Sequence, residues 1–220
     1  MKIGINHIAE FVSVIVAIYC YPLLKGSYMK WFLPFLVFIL LGELVEAYQS
    51  HYYHVSTIPV NYLIGTVESV FYGYIFYHLN TDRIRQKQLC VMILLSIAGY
   101  IISYVVYGSA TDPFVYNLVI SGFMLSLIAL LYLYDSFDND HIHMLSDPGF
   151  WLAFGICLFY SSISIVFMSW RVILLNNISV FGLMLYHLVP KLLCVLLYGS
   201  ISLALISYAR KKLRAVSVIA

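Results

Sequence analysis

Charge is the scarcest commodity in this chain. Only 10% of its 220 residues are Asp, Glu, Lys or Arg, while 63% are hydrophobic and the mean hydropathy is +0.93. A soluble domain of this length cannot hide so much apolar surface, so the composition excludes an ordinary globular protein and names the lipid bilayer as solvent. Cysteine is sparse as well. Cys20, Cys90, Cys157 and Cys194 lie within or at the ends of apolar runs and form no C-x-x-C, which leaves no case for a disulfide framework and fits small core residues. The net charge of +2 comes from basic residues that flank apolar runs, so no nucleic-acid partner is implied.

What the chain has is long apolar runs. A helix needs about 20 apolar residues to cross the hydrocarbon, and seven stretches qualify: 5–24, 30–51, 58–79, 88–108, 113–134, 149–169 and 178–208. They predict one polytopic domain over residues 1–220, an all-α bundle of seven transmembrane helices. The first run should be retained, because Glu10 lies inside it and "YCYPLLKG" follows where a signal peptide has a small-x-small cleavage site. Pro59, Pro113 and Pro148 mark helix starts, where the first turn has no backbone bond to lose. Trp31, Trp151 and Trp170 stand near span ends, as amphipathic rings do at the headgroups. Pro190 falls in the seventh run and should loosen it. The acidic stretch 135–148, with Asp138, Asp140, His141 and His143, reads as a solvated loop with no fixed ligand spacing.

Alternation of sides puts Lys25, Lys30, Arg83, Arg85, Lys87, Arg210, Lys211, Lys212 and Arg214 together, against Lys2 and Arg171. The positive-inside rule then predicts an outside N-terminus and a cytoplasmic C-terminus.

The informative residues are the ionisable ones inside the runs. "LGELVEAYQSHYYH" (41–54) holds Glu43, Glu46, His51 and His54, and elsewhere lie Glu10, Glu68, His187 and Lys191. A charge at the bilayer centre costs roughly 2.5–3.5 kcal/mol, so these groups must face one another, a cation or water. At about 100° per residue, Glu46, His54 and His51 fall near −60°, +20° and +80° from Glu43, one face of a helix. Asn61, Gly65, Glu68 and Tyr72 align on the third helix, His187, Lys191, Cys194, Tyr198 and Ser202 on the seventh, and Asn6, Glu10 and Ser13 on the first. All four stripes reach the outer half of the bundle. A polar pocket beneath the outer face is expected there, with Glu10, Glu43, Glu46, Glu68, His187, Lys191, Asn61 and Tyr72 as ligand-binding residues.

Four uses fit such a pocket. The first is a receptor or sensor that binds a small molecule or ion and signals to a separate cytoplasmic protein. The second is a polar network that only fixes helix packing. The third is a metal-dependent intramembrane hydrolase with a divalent metal on Glu43, Glu46, His51 and His54, all of ligand type. The fourth is a path for protons or small solutes. An oligomer is compatible with each.

Two local patterns resemble known families. Lys191 on the last helix and Glu68 on the third, with an outside N-terminus, resemble the microbial rhodopsins, which would imply a retinal-bearing Lys191 and a Glu68 counter-ion. Position 187 is histidine where that family has an acid, and no tryptophan lies mid-span in helices three, five or six, so retinal is not expected. "HLVPK" (187–191) is similar to the H-x-x-x-H of seven-helix hydrolases of the ceramidase and adiponectin-receptor group, with Lys191 in place of the second histidine. More broadly, "NYLIGTVESVFYGYIFYHL" (61–79) and "DPGFWLAFGICLFYSS" (147–162) resemble uncharacterised bacterial seven-helix membrane proteins. That likeness implies a bacterial inner membrane and a glutamate on the third helix.

Overall fold

A computed structural model describes residues 4–53, 57–80, 82–107, 111–138, 144–176, 179–180 and 183–219. Eight α-helices make up nearly all of it: α1 (Ile5–Leu24), α2 (Phe32–Tyr48), α3 (Ile58–Leu79), α4 (Arg83–Tyr107), α5 (Thr111–Asp138), α6 (Pro148–Met168), α7 (Trp170–Leu175) and α8 (Leu185–Ile219). Between α7 and α8, the two-residue strands β1 (Ser179–Val180) and β2 (Leu183–Met184) pair antiparallel.

Local chemistry sets several boundaries. Pro59 stands in the first turn of α3 and Pro148 opens α6. The Asp147 carboxylate caps α6, accepting from the Phe150 amide at 3.2 Å and from the Tyr132 hydroxyl at 3.1 Å. Gly26 leaves α1 at φ +86°, a conformation that suits glycine, and a 3₁₀ turn (Tyr28–Trp31) leads into α2. α2 ends in one turn of π-helix, Gln49–Tyr53. The helices overrun the apolar runs wherever polar residues continue without a breaker: α4 takes in Arg83–Lys87, α5 reaches Asp138, and α8 runs past the Arg210–Arg214 cluster. The expected seventh run is not one helix. The strand pair takes its start and α8 the rest, and α8 continues through Pro190.

Successive long helices pack side by side, and α8 closes the ring on α1. Ser13 on α1 donates to the Tyr198 carbonyl on α8 at 2.9 Å, and Lys212 reaches the Lys25 carbonyl at 3.0 Å. The contacts join residues 185 and 187 apart, so α1 and α8 run parallel and Lys191 lies level with the start of α1, between Gly4 and Asn6. Small residues allow the closest approaches. A Cβ on Gly155 of α6 would lie 2.5 Å from the Ser200 Cβ of α8, and one on Gly122 of α5 would lie 2.5 Å from Ser164 Oγ of α6. The interior is filled by Phe32, Leu36, Ile39, Tyr72, Phe76, Ile128, Leu152, Ile156 and Leu197, and Phe35 stacks on Phe71 with centroids 3.8 Å apart.

Outside, the bundle is greasy. Ile8, Phe11, Ile15 and Ile18 on α1 and Leu94, Leu95, Ile101, Ile102 and Val105 on α4 are exposed. Among the described residues, six helical segments are long and apolar enough to cross a membrane: Ile5–Leu24, Tyr28–Tyr53, Arg83–Val106, Val115–Phe137, Pro148–Met168 and Leu188–Arg214. This is a multi-pass membrane protein. α3 is long enough but too polar to join that set, because Asn61, Thr66, Glu68, Ser69 and His78 dilute it. Apolarity therefore supports six crossings where seven were expected.

Candidate functional site

The polar interior is built from α1 upward. α1 runs His7, Glu10, Ser13, Ala17 along the face it turns toward the bundle, while Ile8, Phe11 and Ile15 face out. α2 brings Glu43 against that face. Asn6 Nδ2 donates to Glu43 Oε2 at 2.8 Å and lies 2.8 Å from His7 Nδ1, which is itself 3.4 Å from the same carboxylate oxygen. Glu10 sits below them and is 1% exposed. Among the described residues neither of its oxygens meets a partner at bonding geometry, although Asn6 and Glu43 lie alongside. One ligand atom each from His7, Glu10 and Glu43 can be chosen so that all three lie within 4.8 Å of one another.

Further acidic groups border this centre. Glu46 lies one turn beyond Glu43 toward the end of α2, beside Asn61, and its Oε1 is buried without a hydrogen-bond partner. Asn61 also bonds its own helix start, donating to the Thr57 carbonyl at 3.2 Å. Glu68 stands nearer the middle of the bundle and accepts from the Tyr160 hydroxyl of α6 at 3.0 Å. Tyr72 is buried in the aromatic layer beneath, edge-on to Phe35 and Tyr160. On the α8 side Ser13 and Ser202 share a 3.0 Å hydrogen bond, which closes the floor.

No lysine or arginine among the described residues pairs with these carboxylates. Among the described residues, the only ion pairs are His7 with Glu43 and, at the other end of the bundle, Arg85 with Asp135. Two carboxylate charges 4.8 Å apart repel by about 3.5 kcal/mol at an effective dielectric constant of 20. The arrangement can accept a cation or a proton between the carboxylates, with an imidazole at hand as a nitrogen donor.

Two expected groups stand apart from this centre among the described residues. Lys191 does not balance the glutamates. It is exposed at the rim, since it shares an azimuth with the buried Tyr198 but lies two turns higher, level with the first residues of α1. Of the four-residue metal set expected on α2, Glu43, Glu46 and His51 do not gather into one ligand cluster among the described residues. His51 is exposed on the π turn, edge-on to Tyr52, so a single helix does not wrap its ligands around one point. His54 lies outside the described residues, as does the His187 side chain, and Asp140, His141 and His143 of the acidic stretch fall there too. The residue that sequence reasoning missed is His7. Its signal was present, because it stands three before Glu10 on the same helix face.

Comparison of the chain with protein-family models, with curated proteins and with solved structures returns no match. The likenesses drawn above accordingly rest on the quoted residues alone.

Proposed function

We propose that this protein is a membrane receptor that takes a small cation, or the cationic group of a small molecule, into the polar interior between α1, α2 and α3. The observation that carries this reading is Glu10: a carboxylate 1% exposed, unpartnered at bonding geometry among the described residues, with Glu43 beside it. Burying such a group costs free energy unless a ligand meets it. Access is graded in the way a binding pocket needs, since the side chains of His7 and Glu43 keep 14% and 25% of their surface exposed above Glu10.

In this reading α3 is a seventh crossing. Its support is packing: Phe71 and Tyr72 meet Phe35 of α2, while Tyr100 of α4 lies against Gly65. The N-terminal end then faces outside, and the basic end carrying Lys25, Arg85, Lys87 and Arg210–Arg214 faces the cytoplasm, as in a bacterial inner membrane. α1 and α8 share the pocket side and run to that basic end. A ligand that draws Glu10 and Glu43 together would shift α1 against α8 and present a changed surface to a cytoplasmic signalling partner.

The test is thermal unfolding of the detergent-purified chain against a panel of inorganic and organic cations. At least one should raise the melting temperature of the parent and leave Glu10→Gln unmoved. If no cation separates the two proteins, the carboxylates serve only to pack the helices. A second reading, a metal-dependent hydrolase, is favoured by the imidazole of His7 beside two carboxylates. It requires turnover of a lipid ester or amide that is lost in His7→Ala.

A further inference from the structure

We infer that His7, Glu10 and Glu43 form a binding site for one divalent transition-metal ion of the zinc type, held by one imidazole nitrogen and two carboxylates with a fourth position left open. The inference rests on the cation-pocket reading and names its ligand. Three observations carry it. The ligand atoms come from two helices, α1 and α2, so they approach a point from different directions, as four residues on one helix cannot. His7 Nδ1 and Glu43 Oε2 are 3.4 Å apart, and two ligands on a tetrahedral ion at 2.0–2.1 Å stand about 3.3–3.4 Å apart. Glu10 supplies a buried carboxylate with no other partner at bonding geometry among the described residues, aimed into the same space. The widest separation, at most 4.8 Å, closes by about 1.4 Å through a rotamer change of a flexible glutamate.

The donor set decides the class of metal. Magnesium and calcium prefer an all-oxygen shell and keep several waters or six to eight ligands, whereas this set includes an imidazole and supplies three side chains. Imidazole with carboxylates suits zinc and its neighbours in the first transition row. Asn6 Nδ2 lies 2.8 Å from both His7 Nδ1 and Glu43 Oε2, the atoms that would face the ion, so binding displaces the Asn6 amide from between them. Four ionisable groups line the approach or the floor: His7, Glu43, Glu46 and Glu68. The pathway for the ion is the partly open gap at His7 and Glu43, at the end of the bundle where α1 begins.

The experiment is equilibrium dialysis of the full chain in detergent, stripped with chelator and reloaded with zinc ion alone, with metal content measured against protein. His7→Ala and Glu10→Gln are run beside the parent, with Asp135→Asn as a carboxylate lost at the other end. The parent and Asp135→Asn should hold about one equivalent, and each site variant should bind at least tenfold more weakly. Cobalt ion in the parent should give the visible absorption of a four- or five-coordinate nitrogen and oxygen site, a result that stands even if a variant fails to fold. A folded parent that retains neither ion overturns the metal site. If a primary-amine cation then stabilises that parent but not Glu10→Gln, the pocket survives without its metal; if it does neither, both readings fall. Undiminished zinc binding in both variants, or a thiolate-to-cobalt charge-transfer band, places the metal elsewhere and also overturns the inference.

Discussion

Replacing Glu10 by methionine should strengthen the fold and abolish the proposed cation binding. The two side chains are similar in length and helix propensity, so the change removes chiefly the carboxylate. In the parent that carboxylate is 1% exposed and finds no partner at bonding geometry among the described residues. Leaving a buried polar group unsatisfied costs about 1–3 kcal/mol, and Glu10→Met should recover that amount when no cation is present. Adding zinc at a hundred times its dissociation constant stabilises the parent by about 2.7 kcal/mol and the variant not at all. The variant therefore leads in chelator and loses that lead, or falls behind, in zinc. Unfolding by heat or denaturant in one detergent, with chelator and then with zinc, measures both differences. A variant weaker than the parent by more than about 1 kcal/mol in chelator would refute the reasoning, because Glu10 would then be a structural link of the kind polar residues make between membrane helices.

Other outcomes follow from the packing and the topology. Gly155→Val should cost about 1–3 kcal/mol, since its Cβ would stand 2.5 Å from the Ser200 Cβ and force α6 from α8; Gly199→Ala, with nothing within 4 Å, should be neutral or slightly stabilising in the same melts. Tyr160→Phe removes the 3.0 Å hydrogen bond to Glu68, and a double-mutant cycle with Glu68→Met, which leaves no oxygen acceptor, should return a coupling of about 0.6–1.7 kcal/mol. In a background without native cysteines, His51→Cys should be labelled by an impermeant maleimide from outside and Asp82→Cys from the cytoplasm. Labelling of both from one side would mean that α3 does not cross.

The helices were readable from the sequence because apolar runs and breakers are local. Pro59 and the polar turn near Asp82 bracket 58–79, and α3 spans those residues. Ends without breakers were not readable: nothing in "RIRQK" or "RKKLRAV" stops a helix, so hydropathy closed those spans too soon. The start of the run 178–208 misled because its average hydropathy stays high although it carries Gly182. For the site, the helical wheel carried azimuth but not height. Azimuth turned Glu10 and Glu43 inward, and the structure brings them together. Height requires the register between helices, which contacts such as Ser13–Tyr198 and Lys25–Lys212 supply. Without it Lys191 looked like a counter-charge, when it stands at the rim. His7 was passed over in favour of Asn6, although each lies within one turn of Glu10.

X-ray absorption at the zinc edge of the loaded full chain puts the central claim to its most direct trial. The account predicts a first shell of nitrogen and oxygen only, at about 2.0–2.2 Å, with a single imidazole whose outer-shell scattering disappears in His7→Ala. A sulfur shell near 2.3 Å, or an imidazole signal that survives that substitution, would contradict it.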